Sequence, residues 1–436
     1  MTNPTAQALY EDVRSNVANP TTAALLSETE FIPVAGVGTP IAPPTYAGPD
    51  KKASSDDKKV PTFAVSPGIP VPQANEEGWY QELQTDSDTG TVRRAPQVIV
   101  DSVGSQSGRA EAALVASNVL GQRPPGIFIT GSTGEATEDA SSLSAQLAEA
   151  FARQISTWDA AHRQVDAWIK FAQTPDGKQV WEGGKLADGR VVKDLIITAS
   201  PERGEMLYSY FPNSAIYGYW LSSGTASRHR QPRAYSSQIV GYAAQGVASA
   251  ASMLDMSGGA SKSTPVSVVN HKLVAKGKEP SKVGFGPVPG SPAIRAFSCE
   301  LILQRATVSM APLRQLRFDT QEKSEAATTV LVLLAMLGHA LANEDGFLRS
   351  NCSLTPVSSK WGWRRHGLPA SRIDTLEVAS AQDIEEALEL ALQAAADEGL
   401  AFEKPIDLQF SDAQRAIIEG RVKAEDAKQG AEDDDA

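Results

Sequence analysis

Apolar residues along this chain change their spacing several times, and each change predicts an element. Residues 2–26 read as a short helical or loosely ordered lead. Residues 28–37 (ETEFIPVAGV) then alternate with β-branched side chains, as a half-buried strand does. From 38 to 91 the composition turns to Pro, Gly, Ser and Asp with few apolar runs, which predicts a long loop or insertion, and the role of Lys51 to Lys59 inside it is open. An apolar strand follows at 97–101, a Ser/Gly turn, and an alanine-rich helix over 110–120. A short strand is expected at 127–130, a polar loop at 131–142, and an amphipathic helix over 144–171. Its Leu147, Phe151, Ile155, Trp158, Val165 and Ile169 fall near helical spacing, and its aromatics read as core rather than as a base-stacking platform.

Further on, 195–199 reads as a buried strand and 215–221 opens an apolar-aromatic element. Residues 258–292 are dominated by Ser, Gly, Pro and Lys, with 266–269 and 272–274 as candidate hairpin strands. Lys262, Lys272, Lys276, Lys278 and Lys282 are interrupted only by Glu279, and so long a basic loop is either functional or disordered. A strand resumes at 296–303. The 17 residues 326–342 (AATTVLVLLAMLGHALA) carry two threonines, a glycine and a histidine, whereas a membrane span needs about twenty apolar residues, so a buried core helix is expected. A final helix is read at 384–395. The last segment, 424–436, has almost no bulky apolar groups and is expected to be disordered. No internal repeat is visible. Strands and helices alternate without regular β-α-β spacing, which points to the α+β class. The organisation is a lead (1–27), one elaborated domain (28–402) with insertions at 38–91 and 258–292, and an acidic, largely disordered tail (403–436).

Charge changes this picture. The net formal charge is −12, which argues against a polyanion partner, but the charge is unevenly placed. Residues 1–202 hold 16 Lys and Arg against 25 Asp and Glu, 203–366 hold 18 against 9, and 367–436 hold 6 against 18. A basic centre between acidic ends is the electrostatic footprint of a polyanion binder, unless the charges merely spread over solvated faces. Cys299 and Cys352 are the only cysteines and form no Cys-x-x-Cys unit, so neither a disulfide framework nor a structural zinc is indicated, and a reducing cytoplasm fits. No secretory signal is seen, and no membrane partner is expected.

Three places could carry chemistry. The turn with Ser105, Gln106, Ser107 and Arg109 stands between a strand and a helix, where free amides and hydroxyls beside an arginine suit a phosphate; a plain strand-to-helix connection is the other reading. No complete Gly-x-x-x-x-Gly-Lys-Ser/Thr or Gly-x-Gly-x-x-Gly is present. Arg228, His229, Arg230 and Arg233 lie close to Tyr217, Tyr219, Trp220 and Tyr235, a mixture suited to single-stranded RNA, because guanidinium groups bind phosphates and stack on bases while aromatic faces hold unstacked nucleotides. Lys360, Arg364, Arg365 and His366 flank Trp361 and Trp363, which on a strand would face the same side; RNA contact and packing are both open there.

Enzyme signatures are weak. Gln106 stands at the centre of Gly-Ser-Gln-Ser-Gly, so a nucleophile elbow fails, and the five histidines form no ligand set. Asp101, at a strand end, is tempting as a general base or metal ligand, although an Asp there most often orients the turn. No metal or cofactor is expected. The rival reading is a nucleotide-binding enzyme using 97–120 as a phosphate cradle; a third is an acidic assembly scaffold whose basic centre binds the acidic tails of its own copies.

Four blocks carry a resemblance: VDSVGSQSGRAEAAL (100–114), SAIYGYWLSSGTASRHRQPRAYSSQIVGY (214–242), FSCELILQRATVSMAPLRQLRF (297–318) and EDGFLRSNCSLTP (344–356). In that order they resemble the Csb-one subgroup of the Cas-seven family, the RAMP-superfamily backbone subunits of subtype I-G (formerly I-U) Cascade effectors. The resemblance spans roughly 28–356. It implies an RRM-like, ferredoxin-like palm with large insertions and a non-catalytic role in coating crRNA. Ser105, Gln106, Ser107 and Arg109 would then touch the guide backbone, positioning it without reading sequence. The implied partners are crRNA, the target DNA strand through the guide duplex, further copies of the chain and other Cascade subunits. Backbone proteins of this superfamily use a protruding arm to displace nucleotides periodically. Residues 258–292 are the candidate arm, and 214–235 the other possibility. Type III relatives use an acidic residue to cut RNA; type I backbones do not.

Overall fold

The computed structural model describes residues 3–46, 62–121, 123–131, 149–222, 228–249, 266–269, 272–278, 293–369, 372–378 and 380–422. Eight strands form a curled antiparallel sheet: β1 (Thr22–Pro33), β2 (Val65–Pro70), β3 (Arg94–Asp101), β4 (Tyr235–Tyr242), β5 (Leu301–Ser309), β6 (Phe347–Arg349), β7 (Cys352–Arg365) and β8 (Asp374–Leu376). Their order is β6–β7–β1–β5–β4–β3–β2, with β8 also paired to β7. Among the helices that accompany it, the long ones are α1 (Pro4–Ala18), α2 (Val103–Ser117), α3 (Gln321–Glu344) and α4 (Ala381–Asp397). The path β1–α2–β4–β5–α3–β7, with strands side by side as β7–β1–β5–β4, is the βαββαβ arrangement of ferredoxin-like folds. The α+β expectation holds, and β3 and β2 extend the sheet at one edge.

Register explains the two faces. Leu25 lies opposite both Trp363 and Val308, and Val308 opposite Tyr235, so these four point to one side. That side meets the helices. Glu28 lies opposite Lys360 and Arg305, and Arg305 opposite Gln238, so a charged row occupies the other side. α3 packs against α1, α2 and α4, and every residue from Ala327 to His339 is buried. The 326–342 run is therefore a core helix, as its length predicted; burying each leucine contributes about 1.5–3 kcal/mol.

Polar residues set the helix ends. The Ser102 hydroxyl accepts from the Ser105 amide, the Thr320 hydroxyl from Lys323, and the Ser380 hydroxyl from Asp383. Asn3 caps α1 and also donates to Asp383 on α4 at 2.9 Å. The N-terminal segment is thus a docked helix, with Ala6, Leu9, Val13 and Val17 buried. β1 begins at Thr22, before the expected strand.

Several expectations are corrected. Helix α2 begins at Val103, so the presumed turn is its first turn. The helix expected over 144–171 gives way after 152 to the strand Ile155–Ser156, then turns and a short helix Ala167–Lys170. Two aspartates divert it: Asp159 accepts from the Ser156 hydroxyl, and Asp166 from the His162 and Trp168 amides. Trp158 is core, as expected. The strand expected at 195–199 is the helix Val192–Thr198. Within 38–91, Ile41, Val71 and Trp79 are buried and β2 joins the sheet, so this segment includes core as well as loop. Part of the presumed tail is ordered too. Ile406–Gln409 pairs parallel with Ile127–Thr130, burying Ile406 and Leu408, because apolar residues alternate there. The segments 51–59, 131–142 and 424–436 fall wholly or mostly outside the described residues.

Candidate nucleic-acid interface

The strands Tyr219–Leu221 and His229–Gln231 form a two-stranded hairpin that stands apart from the main sheet. It starts at Gly218, whose φ is +79°; a Cβ there would lie 2.8 Å from the Gln231 carbonyl and 2.9 Å from the Arg233 amide, so only glycine fits. Strand alternation then buries Tyr219 and Leu221 and turns Trp220 outward, 69% exposed. Arg230, also exposed, lies directly opposite Trp220 in the register, and exposed Arg228 precedes it. An indole face beside two guanidinium groups can hold an unstacked base and its phosphates.

His229 has a different role. Its ring lies between the Tyr219 hydroxyl (2.7 Å) and the Ile197 carbonyl (3.0 Å), so Nε2 carries the proton toward the carbonyl and Nδ1 accepts from tyrosine. Burial lowers its pKa below the usual histidine value, which favours this neutral form. His229 fastens the hairpin to the helix Val192–Thr198. Arg233 reaches back through Nε to the Tyr217 carbonyl at 3.4 Å. Tyr217 and Tyr235 are buried edge-to-face partners, 5.4 Å between centroids.

At the start of α2 the structure puts Gln106 and Ser107 inside. Gln106 donates to Asp101 (2.6 Å) and accepts from Ser237 (3.0 Å) and Gln304 (2.6 Å); the Ser107 hydroxyl donates to the Val103 carbonyl (2.9 Å). Both side chains are thus turned into the protein. Arg109, with its side chain 30% exposed, pairs with Asp101 at 3.1 Å and donates to the Leu348 carbonyl at 2.8 Å. Ser105 stays half-buried. Asp101 is fully buried beneath these groups. The reason is helical geometry: Gln106 falls on the sheet-facing side of the first turn, and the Ser102 cap already occupies an amide that a phosphate would want. Gln106 and Ser107 are thereby withdrawn from the cradle that the 97–120 unit would form, and the Ser105 amide is already taken.

The cluster on β7 resolves as packing. Trp361 and Trp363 point to the same, helical, side and are buried; Trp363 Nε1 donates to Asp12 at 2.7 Å. Arg365 bonds Asp374 and Asn16, joining β7 to β8 and α1. Lys360 and Arg364 face the opposite side, where residues 71–84 cross the sheet as a strap. Lys360 donates to the Glu77 carbonyl and Arg364 to the Gln81 side chain. Glu28, 5% exposed, accepts from the Tyr80 amide (2.7 Å), the Gln81 side chain and Arg305 (3.2 Å), while the Tyr80 hydroxyl donates to Glu30 (2.6 Å). Nothing in the sequence pattern paired Glu28 with residues fifty positions away.

Lys272 pairs through its backbone with Val269 in the hairpin Val266–Val269/Lys272–Lys278. Most of the candidate arm, 258–292, lies outside the described residues. Among the described residues, no three His, Cys, Asp or Glu side chains gather as a metal-holding group.

The fold and this hairpin together define an α+β protein with a basic-aromatic surface on a hairpin separate from its ferredoxin-like sheet. A family model described as CRISPR-associated protein GSU0053 matches residues 25–246, just over half of the chain. The chain belongs to this family of CRISPR-associated proteins, and its role lies in CRISPR defence. No curated protein matches it.

Proposed function

We propose that this protein coats a CRISPR guide RNA as the non-catalytic backbone subunit of a type I-G surveillance complex. Copies stack along the crRNA in a head-to-tail order that the RNA's length terminates. Each holds a few nucleotides by sugar-phosphate contacts and leaves their bases to pair with the invading DNA strand, in company with other Cascade subunits. The observation that carries the reading is the exposed Trp220–Arg230 pair, flanked by Arg228, on a two-stranded hairpin separate from the main sheet, in the basic third of a CRISPR-associated chain. The ferredoxin-like order of the sheet is compatible with an RRM-like palm. Asp101 is compatible with a non-catalytic role: its side chain is fully buried, with Gln106 and Arg109 both bonded to Oδ2 and no solvent exposure at which RNA could meet it.

The test is fluorescence anisotropy with two labelled repeat-spacer RNAs of unrelated spacer sequence, across a salt series. The expected result is equal affinity for both, a steep loss with salt, and a weaker, shallower dependence for Arg228→Ala/Arg230→Ala/Arg233→Ala. Absence of binding at moderate salt, with the neighbouring Cas subunits supplied, overturns the reading.

A further inference from the structure

At the root of the hairpin, three elements distant in sequence meet in a buried charge network. Arg163 and Glu111 form a two-point ion pair, Nε to Oε1 at 2.9 Å and Nη2 to Oε2 at 2.7 Å, with side chains 9% and 5% exposed. Asn213 adds a bond to Glu111 at 3.1 Å. Arg163 does not stop at its carboxylate: Nη1 donates to the Gly218 carbonyl at 2.8 Å. Its own backbone sits at φ +51°, a region that costs a side-chain-bearing residue about 1–3 kcal/mol and persists only where surrounding contacts hold it. From the other side, Arg233 Nε approaches the carbonyl of the preceding residue, Tyr217.

Two guanidinium groups therefore donate to the two carbonyls from which the hairpin springs, Arg163 paired directly with Glu111 and Arg233 feeling that carboxylate through its charge. Burial, and then the Arg163 charge, lower the Arg233 pKa, consistent with that crowding. Burial pushes the Glu111 carboxyl up while Arg163 opposes it. Arg233 is an exposed residue with its Nε anchored and a like charge behind it, and a phosphodiester is the anion whose geometry matches a guanidinium fork.

We propose that Glu111 and Arg163 are positioning residues for the nucleic-acid surface, presetting the Gly218–Gln231 hairpin and orienting Arg233 as a fork for a phosphodiester of single-stranded nucleic acid. This rests on the RNA-binding reading for its ligand, but the presetting itself is a property of the free protein.

Two measurements test it. The first is a double-mutant cycle of Glu111→Gln with Trp220→Ala, read as single-stranded RNA affinity. Glu111→Gln, which keeps the side-chain volume, is expected to weaken binding about tenfold, and by less than about threefold when Trp220 is already alanine, because both act through one hairpin. Equal losses in both backgrounds would mean that Glu111 acts elsewhere and would overturn the proposal. The second is hydrogen exchange on the unmodified protein without RNA. Amides of 219–221 and 229–231 are expected to exchange slowly; exchange at the rate of an unfolded chain overturns the presetting even if Glu111→Gln does not fold. Protected amides in a protein that binds no RNA would instead remove the RNA-binding reading, and with it the ligand of the fork, and leave only the presetting of the hairpin intact.

Discussion

Trp220 is exposed where its strand neighbours Tyr219 and Leu221 are buried, and that reversal separates binding from stability. Replacing it with alanine is expected to weaken single-stranded RNA binding by about 1–3 kcal/mol, the usual contribution of one stacked base. Thermal stability should change by no more than about 0.5 kcal/mol, as for other surface substitutions. Anisotropy and a thermal melt on the same preparation check both halves. His339 is the opposite case, buried between the Tyr235 hydroxyl (2.9 Å) and Asn343 (3.1 Å), with its ring 5.2 Å from Trp361. Burial lowers its pKa from 6.5 to about 4. The folded state thus favours the neutral ring, and the unfolded chain takes up the proton first as pH falls. This contribution is fully present above pH 6.5 and is lost between pH 6.5 and 4. Stability at pH 4.5 should be roughly 2 to 3 kcal/mol lower than at pH 7.5 from this group. Denaturant titrations at both pH values check it, and His339→Gln should flatten the dependence by that amount.

At the scale of elements, the strap over 71–84 decides which face of the sheet is open. Trp79 is fully buried against β7, where Gly362 makes room: a Cβ at Gly362 would lie 3.0 Å from the Trp79 ring and 2.5 Å from Ile373. Trp79→Ala should cost about 3–5 kcal/mol, the range for a buried aromatic truncated to a cavity, as read by urea denaturation. Tyr80→Phe removes only the bond to Glu30 and should cost about 1 kcal/mol. The strap was illegible in the sequence because a Pro- and Gly-rich stretch reads as loop whether or not one tryptophan anchors it. Strands with strong alternation and the long apolar helix α3 were legible, since period and length suffice for them. The 144–171 periodicity misled because local aspartate caps overrode it. Of the candidate site, the Arg228–Arg233 region was legible as a cluster of residue types. Which members face outward was not, because burial of His229 depends on a helix thirty residues earlier. The α2 turn and the β7 basic residues looked similar in sequence, yet tertiary partners on distant segments occupy Gln106 and Arg365.

For the whole molecule, the separation of charge along the chain maps onto its parts. The basic third, 203–366, holds the hairpin, β4, β5, α3, β6 and all of β7, whereas acidic α4 and the C-terminal segment lie beyond it. In the proposed reading the basic region meets the RNA while the acidic regions limit non-specific adhesion. The central claim is that copies of the chain coat an RNA. The most direct measurement is native mass spectrometry of the protein, with its accompanying Cas subunits, on guide RNAs lengthened in steps of a few nucleotides within the spacer. The account predicts that the number of copies per RNA rises by whole protomers at a regular interval of added length, whatever the spacer sequence. A fixed stoichiometry on every RNA length would contradict it.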